Sequence, residues 1–425
     1  METTVVIRSW IPSKRLIRAQ ALALPWAFLG VATGWLAWPS TPDLAILCLV
    51  AWLVSPSRLA AFVLAVGYFA AGSRGLPEGA GVFFSGVDSL PWAWTAVWLL
   101  AAVLQALPFA VFWSRPGNRS WYLPGLWNRA WLIPGLSLAL LFAVEAIPYT
   151  GLGLFAWITP FMSAGFFFPG TGLYGIGLIV AVLWIVAVVS DKRQVASWYL
   201  VALAVAFVLI FNYLTYGDTP QDHAGVNTNL GPMPTSLMGY YRRLQTIAGV
   251  ALERVQNQSL TVFPETITGK WYSGTAWTFH AVLEATAANN GHAVLIGTEQ
   301  PLPGRALPYR DALVLLDHGT TRFLPDEIPV PIAMWHPWKA NSALLDLGRP
   351  EVATIQGKRY GYLICYESLL LWPGLQIAAH GPVHAVIFAA NDWWARSTSI
   401  PAIEYAAADS WARLIGAPMI SSINS

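Results

Sequence analysis

Hydrophobic positions follow two different patterns along the chain, and the change comes near residue 216. Before that point, long apolar runs succeed one another with short polar breaks, at about 20–38, 41–56, 59–75, 91–113, 131–149, 170–189 and 195–216. An α-helix needs roughly 20 apolar residues to cross a bilayer core, and several runs approach that length. The pattern therefore predicts a membrane domain of about seven transmembrane helices over residues 20–216. Because 41–56 and 59–75 are nearly continuous, about six spans with one kinked element is the alternative.

After residue 216, short apolar runs alternate with segments whose apolar residues recur at helical spacing. The predicted strands lie at 225–229, 259–263, 292–298, 312–316, 352–365, 384–390 and 417–422, and the predicted helices at 237–256, 276–289, 369–379 and 401–414. Strands that alternate with helices are typical of an α/β domain. We therefore predict a second, globular domain over residues 217–425.

Composition separates the same two parts. The chain is 56% hydrophobic and only 11% charged, with 23 tryptophans, which is not typical of a soluble globular protein. Residues 1–216 hold 17 charged side chains and residues 217–425 hold 29, and all seven histidines lie in the second part. The net charge of +2, without a basic cluster that interleaves aromatic residues, gives no indication of direct nucleic-acid binding.

Positive charge predicts the orientation of the spans, because Lys and Arg collect on the cytoplasmic side of a membrane protein. With seven spans, the side of the N-terminus carries Arg8, Lys14, Arg15, Arg18, Arg58, Arg115, Arg119, Arg129, Lys192 and Arg193. The opposite loops before residue 217 carry only Arg74. We therefore expect residues 1–19 to form a basic cytoplasmic segment and residues 217–425 to be extracytoplasmic.

Two features of the apolar half have open interpretations. The uncharged loop at about 150–170, rich in Gly, Phe and Pro, is typical of an aromatic loop at the membrane interface, or of a re-entrant lip that guides acyl chains. Glu145 falls within the fifth predicted span, where an acid is a functional candidate. Its position near the end of the span also allows it to reach the interface.

The stretch from Lys358 to Ser368 predicts a buried strand that ends at Cys365, before a helix-like segment from about Leu369. A thiol at such a strand end can act as a nucleophile beside orienting backbone N–H groups. The simpler interpretation is a small buried core residue. The second cysteine of the chain, Cys48, falls inside an apolar run, so we interpret it as a packing residue and Cys365 as an unpaired thiol.

Three strand ends together carry a resemblance to known proteins. Phe-Pro-Glu-Thr at 263–266, Ile-Cys-Tyr-Glu at 364–367 and Asn-Asp-Trp-Trp at 391–394 follow one another behind the apolar half. The chain thereby resembles the carbon–nitrogen hydrolase (nitrilase) superfamily, and within it the apolipoprotein N-acyltransferases. In length and ending it is also similar to conjugal-transfer proteins of the TraB type. The resemblance implies a nitrilase-like α-β-β-α sandwich, C-terminally shortened because the chain ends at Ser425 just after a predicted strand.

The resemblance also implies roles for particular residues. In that superfamily a glutamate is the base, a lysine stabilises the oxyanion and a cysteine carries the acyl group. By motif, Glu265 is the base, Cys365 the nucleophile and Glu367 a carboxylate that supports the cysteine. The corresponding stretch for the lysine, 322–335, holds none, so Lys339 is our candidate substitute. The alternatives are backbone N–H groups after Cys365, or the side chains of Arg322 and His336.

Two functions follow from these residues, and the sequence leaves open whether the chain is an enzyme. The first is membrane-bound acyl transfer through a thioester on Cys365, with a phospholipid as acyl donor, a lipoprotein or other amine as acceptor, and no cofactor. It would take place at the periplasmic face of a bacterial inner membrane. The second is a non-catalytic or specialised relative that acts with the conjugation machinery in plasmid transfer. The missing lysine favours the second function, whereas Glu265, Cys365 and Glu367 favour the first.

Overall fold

The computed structural model describes residues 14–85, 92–114, 131–192, 223–289, 291–303, 308–349 and 351–425. Up to residue 192 the regular elements of the described residues are helices. The helices are α1 (Lys14–Ala37), α2 (Ile46–Val54), α3 (Arg58–Gly72), α4 (Leu76–Phe83), α5 (Ala93–Val111), α6 (Ile133–Ala146), α7 (Ala164–Phe167) and α8 (Leu173–Lys192). Helices therefore occupy six of the seven predicted spans, and the run at 195–216 lies outside the described residues.

The lengths of these helices do not support a multi-span membrane domain. Among the described residues, α5 is long and apolar enough to cross a bilayer, and the pair α3–α4 qualifies only if its 49° bend is counted within one span. The apolar stretches of the other helices, such as Ala23–Ala37 within α1 and Leu173–Val188 within α8, have 10–17 residues and fall short of the roughly 20 required. Hydropathy located six of these helices, but it missed α4 and α7 and did not show where each helix breaks.

Small residues allow the first helices to pack very closely. A Cβ atom added at Gly30 would lie 1.9 Å from the carbonyl oxygen of Leu64, and one at Gly34 would lie 2.2 Å from that of Tyr68. Only glycine fits at such separations, so these two positions let the backbones of α1 and α3 meet directly. Close approach through small residues is typical of helices that associate in an apolar environment.

The second half of the chain contains two β-sheets. The first has the order β1 (His223–Gly225), β2 (Leu260–Val262), β3 (Ala293–Pro301), β4 (Tyr309–Asp317) and β5 (Thr320–Pro325), parallel up to β3 and antiparallel after it. The second has the order β6 (Val352–Ile355), β7 (Lys358–Ile364), β8 (Ala385–Asn391) and β9 (Met419–Asn424), with β6 antiparallel to β7 and the others parallel. The helices of this half are α9 (Leu237–Arg254), α10 (Ser273–Thr278), α11 (His280–Ala288), α12 (Leu371–Ala379) and α13 (Ile400–Ile415).

The two sheets pack face to face and helices cover their outer faces. Leu295 of β3 points into the core between the sheets, where it joins Ile364 and Ile387 of the second sheet. Its neighbour Ile296 points outward and packs with α9 and α11. Leu363 of β7 likewise points outward, toward α12 and α13. This alternation is the period of two that a strand imposes on its side chains. The described residues of the second half thus form the expected α-β-β-α sandwich.

Two hairpins correct the predicted strands. The predicted strand 352–365 is in fact β6 and β7, joined at Gln356 and Gly357, which have φ angles of +49° and +76°. Strand β5 was not predicted, and it follows β4 through His318 and Gly319 at +48° and +71°. Two consecutive positive φ angles are typical of the tight type I′ turns that join antiparallel strands. The predicted helix 276–289 is likewise two helices, α10 and α11.

The segment 147–172 joins the helical half to the sandwich. The Ile158 N–H donates to the Leu369 carbonyl at 3.2 Å, and the Tyr366 hydroxyl donates to the Leu154 carbonyl at 2.7 Å. Both partners lie in the segment that directly follows Cys365. The predicted aromatic loop is therefore packed between the two halves of the chain and is hydrogen-bonded to the segment that follows Cys365.

Glu145 also turns inward. Its side chain is almost fully buried, at 2% exposure, and it accepts a hydrogen bond from the Thr159 hydroxyl in the same connecting segment. It therefore does not reach out to an interface.

Candidate active site

Acidic side chains and one thiol meet where strands of the two sheets end. Glu265 follows β2, Cys365 follows β7 and Asp392 follows β8, while Asp311 lies near the start of β4. The carboxyl ends of parallel strands lie at one edge of a sheet, and antiparallel β4 begins at that same edge. Because the sheets are stacked face to face, the carboxyl ends of β2 in the first sheet and of β7 and β8 in the second lie next to each other. The sandwich thus brings together Glu265 and Cys365, which the sequence places 100 residues apart.

The backbone at Cys365 makes a sharp turn. Its φ angle is +48°, in the left-handed region, and a 3₁₀-helix begins at this residue and runs to Leu369. The Ser368 hydroxyl donates to the Cys365 carbonyl at 2.8 Å and holds the turn. A non-glycine residue in this region costs on the order of 1–3 kcal/mol, a strain that is often found at functional sites. The turn directs the thiol away from β7 and toward the acidic side chains.

The backbone at Glu265 lies directly against the backbone of β3, and this contact fixes the position of Glu265. Its side chain is 5% exposed and forms a hydrogen bond with the Cys365 thiol. A Cβ atom at Gly297 of β3 would lie 2.1 Å from the Pro264 carbonyl oxygen and 2.3 Å from the Glu265 Cα. Gly297 is therefore required for the Pro264–Glu265 segment to lie against β3 and present its carboxyl group to the thiol.

Two pairs of carboxyl groups flank the thiol. On one side Glu265 is hydrogen-bonded to Asp311, and on the other Glu404 of α13 is hydrogen-bonded both to Cys365 and to Asp392. The atoms of Cys365, Asp392 and Glu404 that can bind a ligand all lie within 4.8 Å of one another. Each carboxyl pair can share a proton, which is the usual state of two acids at such distances.

Burial sets the protonation of the site. It raises the pKa of Glu265 well above its ordinary value, and the neighbouring Asp311 raises it further. Burial also raises the pKa of Asp311 to about 7 and that of Asp392 to about 7. The pKa of Cys365 is raised by burial first, and then by Glu265 and Glu404. The resting cysteine is therefore a neutral thiol beside two carboxyl groups, Glu265 and Glu404, whose pKa values burial also raises.

Glu367 organises the backbone next to the cysteine. One of its oxygens accepts the N–H groups of Glu327 at 2.7 Å and Ile328 at 2.9 Å, and the other accepts that of Ile364 at 3.1 Å. Glu351 lies beside it, and burial together with the Glu367 carboxylate raises the pKa of Glu351. Because three N–H groups stabilise the Glu367 carboxylate, we expect Glu351 to be the protonated acid and to donate a hydrogen bond to Glu367. The pair ties the loop after β5 to the turn that carries Cys365.

The basic residues considered from the sequence lie elsewhere. Lys339 is exposed on a turn, where its backbone N–H donates to the His336 carbonyl at 3.0 Å. The Arg322 guanidinium donates to the Thr354 carbonyl at 2.7 Å, and the His336 ring lies against Trp338. Among the described residues, no hydrogen bond or ion pair joins any of these three side chains to Glu265 or Cys365. The role of Lys339 stays a prediction.

One lysine that the sequence did not single out lies nearer to the acids. Lys270 forms a β-bridge with Glu299, and its charge lowers the otherwise raised pKa of that residue. Glu299 pairs across the strands with Asp311, which acts on the pKa of Glu265. The sequence did contain a signal for this residue, because Lys270 lies only five positions after Glu265. Asp311 and Glu404 offered no such signal, because each lies inside an ordinary strand or helix pattern.

Comparisons with known proteins give a full-length similarity. The chain is 29% identical to "Conjugal transfer protein TraB" from Agrobacterium fabrum over 99% of its own length and 98% of that protein. A relative from Sinorhizobium fredii, also named TraB, is 28% identical over 92% of the chain and 95% of that protein. No family model matches the chain.

Solved structures give a weaker likeness. Two structures of a Nesterenkonia amidase, one of them a mutant described as belonging to the nitrilase superfamily, superpose with TM-scores of 0.31 at 15% and 14% identity. They cover 41% and 42% of this chain, and 68% and 67% of the amidase chains. The similarity that extends over the whole chain is thus the one to proteins named TraB.

Proposed function

We propose that this chain is a cysteine-dependent acyl-transfer enzyme of the carbon–nitrogen hydrolase type that serves conjugative transfer. The observation that carries the proposal is the Cys365 thiol, held on a strained turn and hydrogen-bonded to the buried Glu265 carboxyl group. A nucleophile within hydrogen-bond reach of a base that a third group orients is typical of covalent catalysis. The full-length similarity to proteins named TraB supports the role in conjugation.

The proposed reaction has two halves. Glu265 accepts the Cys365 proton while Sγ attacks the acyl carbonyl carbon, and Asp311 shares the charge on the acid pair. The proton then passes to the leaving alkoxide, and a thioester remains on Cys365. An amine then attacks the thioester carbonyl, the C–S bond breaks as an amide forms, and Glu265 passes the proton that the amine loses to the cysteine sulfur. Because the thiol is neutral at rest, this proton transfer has to accompany the attack.

The finer parts of the proposal concern the substrates and the location. We propose a phospholipid as acyl donor, and a lipoprotein or other amine as acceptor. The helical half would lie in the bacterial inner membrane as a bundle of about seven spans, with residues 217–425 in the periplasm. The uneven distribution of Lys and Arg supports this orientation, and α5 is the described helix that is long and apolar enough to cross a bilayer by itself. Lys339 is proposed as the group that stabilises the oxyanion, with Lys270 as the alternative that the structure adds.

The test is acyl labelling of the full-length protein in membranes that contain an alkyne-bearing phospholipid. We expect a hydroxylamine-sensitive label on wild type and on the control Cys48→Ala, but none on Cys365→Ala. Glu265→Gln should slow labelling by about 10²-fold or more, which is the usual contribution of a general base. Loss of one buried thiol should cost only about 1 kcal/mol, so the abundance of Cys365→Ala should be unchanged. Wild-type protein that never carries a label on Cys365 would refute the enzyme.

A second candidate function is a non-catalytic role in conjugation. It is favoured by one observation, the lack of a lysine bonded to Glu265 or Cys365 among the described residues. A mating assay separates the two functions. If plasmid transfer depends on the chain and Cys365→Ala restores transfer as well as wild type does, the non-catalytic role holds.

A further inference from the structure

Asp392 is a buried acid that can share a proton with Glu404 and has no other donor among the described residues. The side chain is fully buried, and among the described residues no N–H or hydroxyl group donates a hydrogen bond to either of its oxygens. One oxygen of Glu404 is in the same condition. Two acids that share one proton still bury one negative charge, which costs several kcal/mol unless it is paired with a cation or bound to a metal. The unused oxygens are therefore the feature that requires explanation.

The surroundings supply no positive charge. The pKa values of Asp392 and Glu404 are influenced by each other, and that of Glu404 also by the Cys365 thiol. No basic side chain of the described residues contributes. Arg396, four residues after Asp392, is exposed. Glu265 adds a further acid on the other side of the thiol. A cluster of buried acids with this composition attracts a cation from outside the chain.

The donor atoms have the spacing of a metal site. The ligand atoms of Cys365, Asp392 and Glu404 lie within 4.8 Å of one another. Zinc bonds of about 2.3 Å to sulfur and about 2.0–2.2 Å to carboxylate oxygen place neighbouring ligands roughly 3.5 Å apart, so a small contraction closes the site. The thiolate selects a borderline or soft metal, since hard cations such as Mg²⁺ prefer oxygen ligands only.

We propose that Cys365, Asp392 and Glu404 bind one transition-metal ion of the zinc class. Binding releases the thiol proton and any carboxyl proton to the solvent, and leaves the fourth position to water or to Glu265. The bound metal occupies the sulfur lone pair, so the metal-bound cysteine cannot be acylated or alkylated. The metal site does not depend on acyl transfer, because it requires only these three ligands.

The first test measures metal binding on the full-length protein in detergent, stripped with EDTA and then given one equivalent of Co²⁺. We expect about one ion per chain after gel filtration, and the ultraviolet charge-transfer band of a cobalt–thiolate bond. The band should vanish in Cys365→Ser, and Glu404→Gln should weaken cobalt binding at least about tenfold, on the scale seen when groups of a metal site are removed. The matched control is Asp409→Asn, on the same helix, where Asp409 pairs with Arg413. It should bind like wild type.

The second test needs no variant. Iodoacetamide alkylation of Cys365, followed by mass spectrometry, should slow at least about tenfold with Zn²⁺, recover with EDTA and stay unchanged with Mg²⁺, with the Cys48 peptide as internal reference. Wild type without the cobalt–thiolate band, a band that persists in Cys365→Ser, or alkylation unaffected by Zn²⁺ would each overturn the proposal. Acyl labelling of Cys365 is measured separately, so either proposal can fail while the other stands.

Discussion

Glu367 and Glu351 both support the cysteine turn, and replacing Glu367 by glutamine tests which of the two is the charged acid. In Glu367→Gln one oxygen remains for the N–H groups of Glu327 and Ile328, but an NH₂ group replaces the oxygen that accepts the Ile364 N–H. A lost hydrogen bond to a charged acceptor costs about 1.5–3 kcal/mol, and a buried donor left unpaired costs about 1–3 kcal/mol. These two costs overlap, so we expect the free energy of unfolding to fall by about 2–4 kcal/mol.

The control for this change is Glu351→Gln. We expect Glu351 to be the protonated acid that donates a hydrogen bond to Glu367, and a glutamine amide can donate in the same direction. It also keeps an oxygen for the Glu327 N–H, which lies 3.2 Å from Glu351. We therefore expect Glu351→Gln to cost less than about 1 kcal/mol, within the range of a conservative substitution.

Thermal unfolding of the two variants in detergent provides the measurement. For a unit of about 200 residues, each kcal/mol lowers Tm by roughly 2–4 °C, so Glu367→Gln should unfold roughly 4–16 °C below wild type. Because Ile364 immediately precedes the turn at Cys365, acyl labelling should also slow. Equal Tm values for the two variants, or a larger loss in Glu351→Gln, would show that the proton has been assigned to the wrong acid.

Four further outcomes are expected. Gly297→Ala should push Glu265 away from the thiol, and a displacement of about 1 Å should reduce acyl labelling by about 10²-fold, whereas unchanged labelling would remove the argument from close approach. Burial raises the pKa of Glu327 from 4.5 to about 8. The protonated Glu327 side chain therefore contributes to stability below about pH 4.5, and this contribution is lost as the pH rises to about 8. Glu327→Gln should flatten this part of a curve of Tm against pH. Lys339→Ala should weaken acyl-cysteine formation at least about tenfold if that lysine holds the oxyanion, and a loss in Lys270→Ala alone would transfer the role. A phosphatase reporter fused after residue 216 should be active, and activity of a cytoplasm-only reporter instead would reverse the proposed orientation.

Local pattern determined the elements of the sandwich and the residues at its strand ends. Short apolar runs located β2, β7 and β8, and Glu265 and Cys365 could be recognised because each follows such a run. These are short-range properties, since a strand and its end are set by a few neighbouring residues. The two hairpin turns were missed because each has only two residues between its paired strands, Gln356-Gly357 and His318-Gly319.

Tertiary structure alone decided which acids surround the thiol. Asp311 reaches Glu265 because β4 runs antiparallel to β3, and Glu404 reaches Cys365 because α13 packs on the outer face of the second sheet. Hydropathy likewise could not show that the α3–α4 pair bends by 49°, since a break depends on what packs against it. Side chains far apart in sequence meet only once sheets and helices have packed, and the free energy of that packing is spread over the whole core rather than carried by any local motif.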